Sequence, residues 1–209
     1  MIITIFGATG MVGKYLVKQS LLRGHIVKAF GRNVFTAGFA ENENLKLLPG
    51  ALFDATEVYD AIKGSDAVFS AIGGGMDGND KSRSLGMKNI VAQMEKSTTK
   101  RIVAIGGMGI LNDDDEKLIM DLPDFDKQYM AVSKEHLLAY EYLKNSSLEW
   151  TMLCPPDILP ADVTGIYHTA SNHLPAPNQY KINAGDLALF MLNAVEKNEY
   201  PYQRVGISN

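Results

Sequence analysis

Residues 2–14 read IITIFGATGMVGK. Ile2–Phe6 is a continuous β-branched and aromatic run, the composition of a strand buried on both faces. Gly7, Gly10 and Gly13 follow at three-residue spacing. Beyond them Val12, Leu16, Val17, Leu21 and Leu22 recur at helical intervals, and Gly24 supplies a stop. A strand that turns through glycines into a helix aims backbone N–H groups and the positive end of the helix dipole at one spot, which favours an anion. Glycine keeps that spot clear of side chains, and the third glycine lets helix and strand pack closely. As a string of letters G-x-x-G-x-x-G is weak; between a strand and a helix it has the setting that dinucleotide binding requires. Gly7, Thr9, Gly10, Met11, Val12 and Gly13 are therefore expected to cradle a pyrophosphate.

The same alternation continues down the chain. Strands are expected over 25–30, 45–49, 66–72, 101–105 and 148–154, with a short closing strand over 201–207. Helices are expected over 11–23, 55–63, 84–96, 127–144 and 186–197. Strands and helices alternating on short connections give an α/β fold, a doubly wound parallel sheet with helices on both faces. The 209 residues suit one domain. Its core is expected in 1–154, with a small cap and the last helix in 155–209.

Composition narrows the partners. A hydrophobic share of 46% and a charged share of 21% are those of an ordinary globular protein. A net charge of -4 argues against a nucleic-acid partner, because it cannot neutralise many phosphates. Cys154 is the single cysteine, so there is neither an internal disulfide nor a cysteine metal cluster. The consecutive acids in NDDDE do not converge on an ion without a calcium-type loop, so no metal site is expected. They read as a solvated helix start, with Leu118, Ile119, Leu122 and Phe125 as an apolar stripe facing a substrate pocket. No basic stretch followed by an apolar segment opens the sequence, and no run approaches the roughly 18 apolar residues of a membrane span. A cytoplasmic monomer or homodimer acting on a small-molecule acceptor is the expectation.

The end of the second strand bears on the choice of nucleotide. NAD sites place Asp or Glu there for the ribose 2′-hydroxyl. This chain has AFGRN instead. Arg32 stands where a guanidinium fork grips a 2′-phosphate, so NADP is expected over NAD.

With these features the chain resembles the atypical short-chain dehydrogenase/reductases. It is most similar to the NAD(P)H-binding group that contains NADH-flavin reductases, biliverdin reductase B and NmrA-like proteins. The resemblance rests on GATGMVG, the basic GRN, LPGALFDATEVYDAIKGSDAVFSAIG, LEWTMLCPPDI and INAGDLALFMLNAVEKNEY, in that order along nearly the whole chain. It implies a Rossmann-type sheet. It also implies that Asp54 and Ala55 lie near the adenine, and that Ala71, Ile72 and Gly73 follow the nicotinamide-side ribose. Pro155, Pro156 and Ile158 would stand beside the nicotinamide. Asp54 equally suits a helix N-cap, since DATE has the form of a capping box.

Typical members of that superfamily pair a tyrosine with a lysine four residues on, and end the fifth strand in serine. Here Tyr129 and Lys134 are five apart. They point about 140° apart on a helix. Met130 holds the position four before Lys134, and the fifth strand runs into GGMG, with Gly107 in place of serine. Lys134 is expected to position the nicotinamide ribose, Gly107 to belong to the cofactor site with it, and Met108 and Met130 to contact substrate. His136, His168 and His173 are assigned to structure or solvent. Lacking the acid that a ketone needs, the chain is expected to reduce a flavin or similar flat aromatic or quinone acceptor with NAD(P)H. A non-enzymatic NADP sensor of the NmrA-like kind is the alternative, and a nucleotide-sugar epimerase a more distant one.

Overall fold

A computed structural model describes residues 1–209. In chain order the elements are β1 Ile2–Phe6, α1 Met11–Leu22, β2 Ile26–Phe30, β3 Leu45–Leu48, α2 Ala55–Ile62 and β4 Ala67–Ser70. Next come α3 Ser82–Glu95, β5 Arg101–Ile105, α4 Met130–Lys144, β6 Glu149–Cys154 and β7 Asp157–Leu159. The chain closes with β8 His168–Ser171, β9 Lys181–Asn183, α5 Ala184–Glu196 and β10 Gln203–Ser208. Eight strands form one sheet in the order β3-β2-β1-β4-β5-β6-β10-β8. Every pairing in it is parallel except β8 against β10. This is the doubly wound α/β fold, and the order reverses between β1 and β4, where such sheets open a ligand crevice.

Alternation along β1 divides the interior. Ile3 and Ile5 join a core with Leu16 and Val17 of α1 and Leu187 and Met191 of α5. Phe6 joins the opposite core with Ile62, Ile90, Met94 and Leu143 of α2, α3 and α4. The chain beyond β6 is less of a cap than expected. α5 packs on α1, and β10 extends the main sheet beside β6. β7 and β9 pair with each other as a separate two-stranded sheet.

Two buried arginines tie the loops to the sheet. Arg101 donates to the carbonyls of Glu149, Ala194 and Glu199. Arg204 donates to the Ile110 carbonyl and to Asn112 Oδ1, with its guanidinium over the Tyr140 ring. It thereby fixes the start of the acidic connection, which is not itself a helix start but runs through turns and the short 3-10 helices Ile119–Asp121 and Lys127–Tyr129 into α4. No helix is long and apolar enough to cross a membrane.

Candidate functional site

The three glycines of the first turn do different jobs. Gly7 has φ +78, and a Cβ there would overlap the Ala71 carbonyl oxygen at the end of β4. A Cβ on Gly13 would overlap the Gly7 carbonyl oxygen and stand 2.8 Å from Ala8 Cα. Those two let β1, β4 and α1 meet. Gly10, the N-cap of α1, has ordinary extended backbone, and a Cβ there would meet only the Gly7 carbonyl oxygen, at 3.3 Å. It is exposed on the crevice wall. No side chain caps α1 and no acid sits in its first turn, so its N-terminal N–H groups and dipole are left to a ligand. The residues present fit a dinucleotide pyrophosphate: a side chain on Gly10 would fill the cradle, and glycine leaves it clear.

A cavity of about 370 Å³ extends from this turn over the ends of β2 and β4. Gly7, Thr9, Gly10, Arg32, Ala71, Ile72 and Gly73 all line it. Arg32 is exposed there and forms no salt bridge. Leu52 and Phe53 form the far wall. Asp54 and Ala55 lie just past that wall. The Asp54 carboxylate is the N-cap of α2, accepting from the backbone N–H groups of Thr56 and Glu57 at 2.9 Å each.

A second cavity, of about 490 Å³, continues on the other side of the turn. Met11 stands at its entrance from the cradle, and Gly107, Met108, Pro155, Pro156 and Ile158 line it. Val12 and Gly13, in the first turn of α1, are buried and line neither cavity. Lys134 and Met130 are also elsewhere: Lys134 is exposed and lines neither cavity, and Met130 packs against the core. Helix periodicity explains this. Tyr129, Ser133 and His136 line the cavity at positions i, i+4 and i+7, one stripe of a helix. Met130 and Lys134 each follow a stripe residue by one, roughly 100° around the helix.

The stripe closes onto the end of β5 because Gly107 and Gly109 lack side chains. A Cβ on Gly109 would stand 2.5 Å from the Ser133 hydroxyl, and one on Gly107 2.8 Å from the His136 ring. His136 is 9% exposed, and its Nδ1 is buried without a hydrogen-bond partner. Burial, helped by the nearby Arg83 guanidinium, pushes its pKa down to about 3, so the imidazole is neutral at physiological pH. Arg83, at the start of α3, is held by the Gly74 and Gly75 carbonyls at 3.0 and 2.7 Å. Burial pushes the Cys154 thiol up to about 12, an inert sulfur.

A third cavity, of about 450 Å³, opens outward from the second and shares Met108, Phe125, Tyr129 and Tyr180 with it. Ile119, Leu122 and Phe125 of the apolar stripe line it, together with Asp113, Asp114, Asp124 and Asp126, whereas Leu118 packs against the core instead.

The NAD(P)H-binding family model matches residues 7–198, from the first glycine to the end of α5. The chain belongs to that family. The Bacillus subtilis protein YwnB, itself uncharacterised, is 28% identical over 98% of this chain and 97% of its own. A candidate exported protein from Burkholderia pseudomallei is 30% identical, superposes with a TM-score of 0.86, and covers 100% of both chains. Streptococcus pneumoniae SP1627, a candidate NADH-flavin reductase, shares the fold at 24% identity and a TM-score of 0.83, over 100% of this chain and 99% of its own. Family membership gives the chain its ligand class, NAD(P)H; the crevice is lined by Gly7, Thr9 and Gly10 on one side and Ala71, Ile72 and Gly73 on the other.

Proposed function

We propose that the protein is an NADPH-dependent reductase of a flavin or similar flat aromatic or quinone acceptor. The observation that carries this reading is the open second cavity beside Gly107, Pro155 and Pro156, where the cofactor groove ends. A dinucleotide sensor needs the groove alone. Here Met108 and, from the acidic connection, Phe125 and Tyr129 line the space beyond it and leave it open, and Met130 lies elsewhere, which favours the reductase over a sensor. The likeness to SP1627 supports the choice of flavin as an acceptor to test. When bound, the nicotinamide would supply a hydride; the protein contributes the orientation of the two rings. Pro155 and Pro156 set one rigid wall for the two rings. No lysine lines the second cavity to pair with Tyr129, so the proposed acceptor is one whose reduction takes its proton from solvent. The cytoplasm, expected from the sequence, remains the proposed location.

The test is consumption of NADPH with riboflavin, FMN, FAD and a naphthoquinone, followed by loss of reduced-nicotinamide absorbance. Turnover with at least one acceptor is expected; tight NADPH binding with no turnover on any of them would establish the sensor instead. Arg32 is proposed to hold the 2′-phosphate, because it lines the cradle cavity with no ion-pair partner of its own. Arg32→Ala is expected to weaken NADPH binding about 10- to 100-fold while leaving NADH binding within a factor of about two. Equal losses for the two cofactors would remove Arg32 from that role.

A further inference from the structure

Two buried side chains of the second cavity carry polar groups that the protein itself leaves unused. Neither nitrogen of the His136 ring has a hydrogen-bond partner: Nδ1 is sealed in the interior, and Nε2 lies beside Gly107 on the cavity side. The Ser133 hydroxyl, one turn earlier, is unpartnered too, although the residue is 5% exposed. A neutral imidazole carries one N–H. Orphaned buried N–H groups are rarer in proteins than orphaned acceptors, which places the proton on Nε2, facing the cavity. The cavity thus offers two adjacent donors in an otherwise largely apolar chamber.

The way outward has the opposite character. Asp113, Asp114, Asp124 and Asp126 line the third cavity, and none of them takes part in a salt bridge. No lysine or arginine lines that cavity, and its one histidine, His173, is engaged with Glu116. Asp157 adds a further carboxylate to the inner chamber. The acids do not converge: no three His, Cys, Asp or Glu side chains are arranged to hold a metal ion. They act on a ligand as a field. The single cation of the inner chamber, Arg83, is committed to the Gly74 and Gly75 carbonyls.

We propose that the acceptor is an uncharged planar ring bearing carbonyl oxygens, and that its phosphorylated forms are rejected. His136 Nε2–H and the Ser133 hydroxyl donate to the carbonyl edge, and the aspartate rim repels a phosphate carried on the ring's side chain. Within the reductase reading, on which this inference rests, the two donors are positioning groups. Two electrons and one proton reach the acceptor as hydride from NADPH, leaving NADP⁺. A second proton comes from water, and His136 keeps its own while it hydrogen-bonds the oxygen where negative charge gathers.

Riboflavin and FMN share one ring and differ by a phosphate, so they separate the two halves of the proposal. Binding is measured by quenching of flavin fluorescence in the presence of NADP⁺, which cannot react. Riboflavin is expected to bind at least about tenfold more tightly than FMN at low salt, with the gap narrowing as salt is added. Asp114 and Asp124 make no side-chain hydrogen bond, so the Asp114→Asn, Asp124→Asn double variant tests charge alone. It is expected to bring FMN within about threefold of riboflavin, riboflavin itself being unchanged. His136→Phe keeps the ring volume and loses the donor; it is expected to weaken riboflavin about tenfold, and His136→Gln to restore most of that. FMN binding as well as riboflavin, or riboflavin indifferent to His136→Phe in a folded protein, would overturn the inference and leave the reductase intact. If NADP⁺ binds while neither flavin nor a neutral naphthoquinone does, the reductase reading falls along with it.

Discussion

Gly10→Asp is expected to abolish dinucleotide binding in a protein that is as stable as the parent or slightly more so. Gly10 is the N-cap of α1, at φ -76 and ψ 174, backbone that any residue adopts. The helix has no side-chain cap there and no acid in its first turn. An aspartate would accept from the free N–H groups and sit at the positive end of the dipole, for a gain of a few tenths of a kcal/mol. The same carboxylate would occupy the place of the pyrophosphate and repel it. NADPH affinity is expected to fall at least about 100-fold, because an anion site has become a self-capped one. Isothermal titration with NADPH and thermal unfolding, on the same sample, check both halves. Retained affinity would show that the cofactor lies elsewhere.

The neighbouring glycines give the opposite outcome. Gly13→Ala places a methyl group into the Gly7 carbonyl and against Ala8 Cα, which are backbone atoms and cannot turn aside. That variant is expected to lose about 2–4 kcal/mol of stability whether or not a ligand is present. Of three glycines identical in the motif, one is functional and two are architectural, and only their surroundings distinguish them.

That difference marks where the sequence stops being legible. β1 to β6 could be read because each is a local apolar run bounded by glycine or charge, and local runs predict burial without knowledge of partners. β7, β8 and β9 escaped because they are three or four residues long, mostly half-exposed, and paired across long stretches of chain. On α4 the expectation settled on Lys134 by analogy with a tyrosine–lysine pair. The stripe of Tyr129, Ser133 and His136 was visible at helical spacing, but periodicity does not say which stripe meets the cavity. The missing side chains of Gly107 and Gly109 after β5 decide it, and the consequence is a buried histidine on the cavity wall where the sequence predicts a structural or solvent-facing one.

Asp186→Ala is expected to be the most destabilising change outside the glycine turn. Asp186 is fully buried in the first turn of α5. Its carboxylate accepts from the Thr164 and Gly165 backbone N–H groups and the Thr164 hydroxyl, each at 2.8 Å. The Asn209 and Asn183 amides donate to it at 2.9 and 3.1 Å. Burial pulls its pKa upward, but the hydrogen bonds from Gly165, Asn209 and Thr164 outweigh burial and hold it below the ordinary carboxylate value. Truncation leaves several buried donors without an acceptor, a cost of about 3 kcal/mol or more. A lowered folded pKa means that the carboxylate stabilises the protein above the unfolded value, about 4, and that this contribution is lost as pH falls through the folded value. The gap between parent and Asp186→Ala in urea unfolding should therefore be widest near neutrality and shrink on acidification. Asp186→Asn keeps one acceptor oxygen and has nothing to titrate, so it should cost less and remove that part of the pH dependence. The effect reaches the acceptor chamber as well. Asp186 latches the Thr164 loop and the C-terminal Asn209 to the start of α5, next to β9, and β9 pairs with the β7 strand that carries Asp157 and Ile158 into the cavity wall. Loosening the latch is expected to weaken acceptor binding more than NADPH binding, because only the nicotinamide end of the cofactor reaches that wall; equal losses of both would mean that the latch serves the whole fold and not that wall.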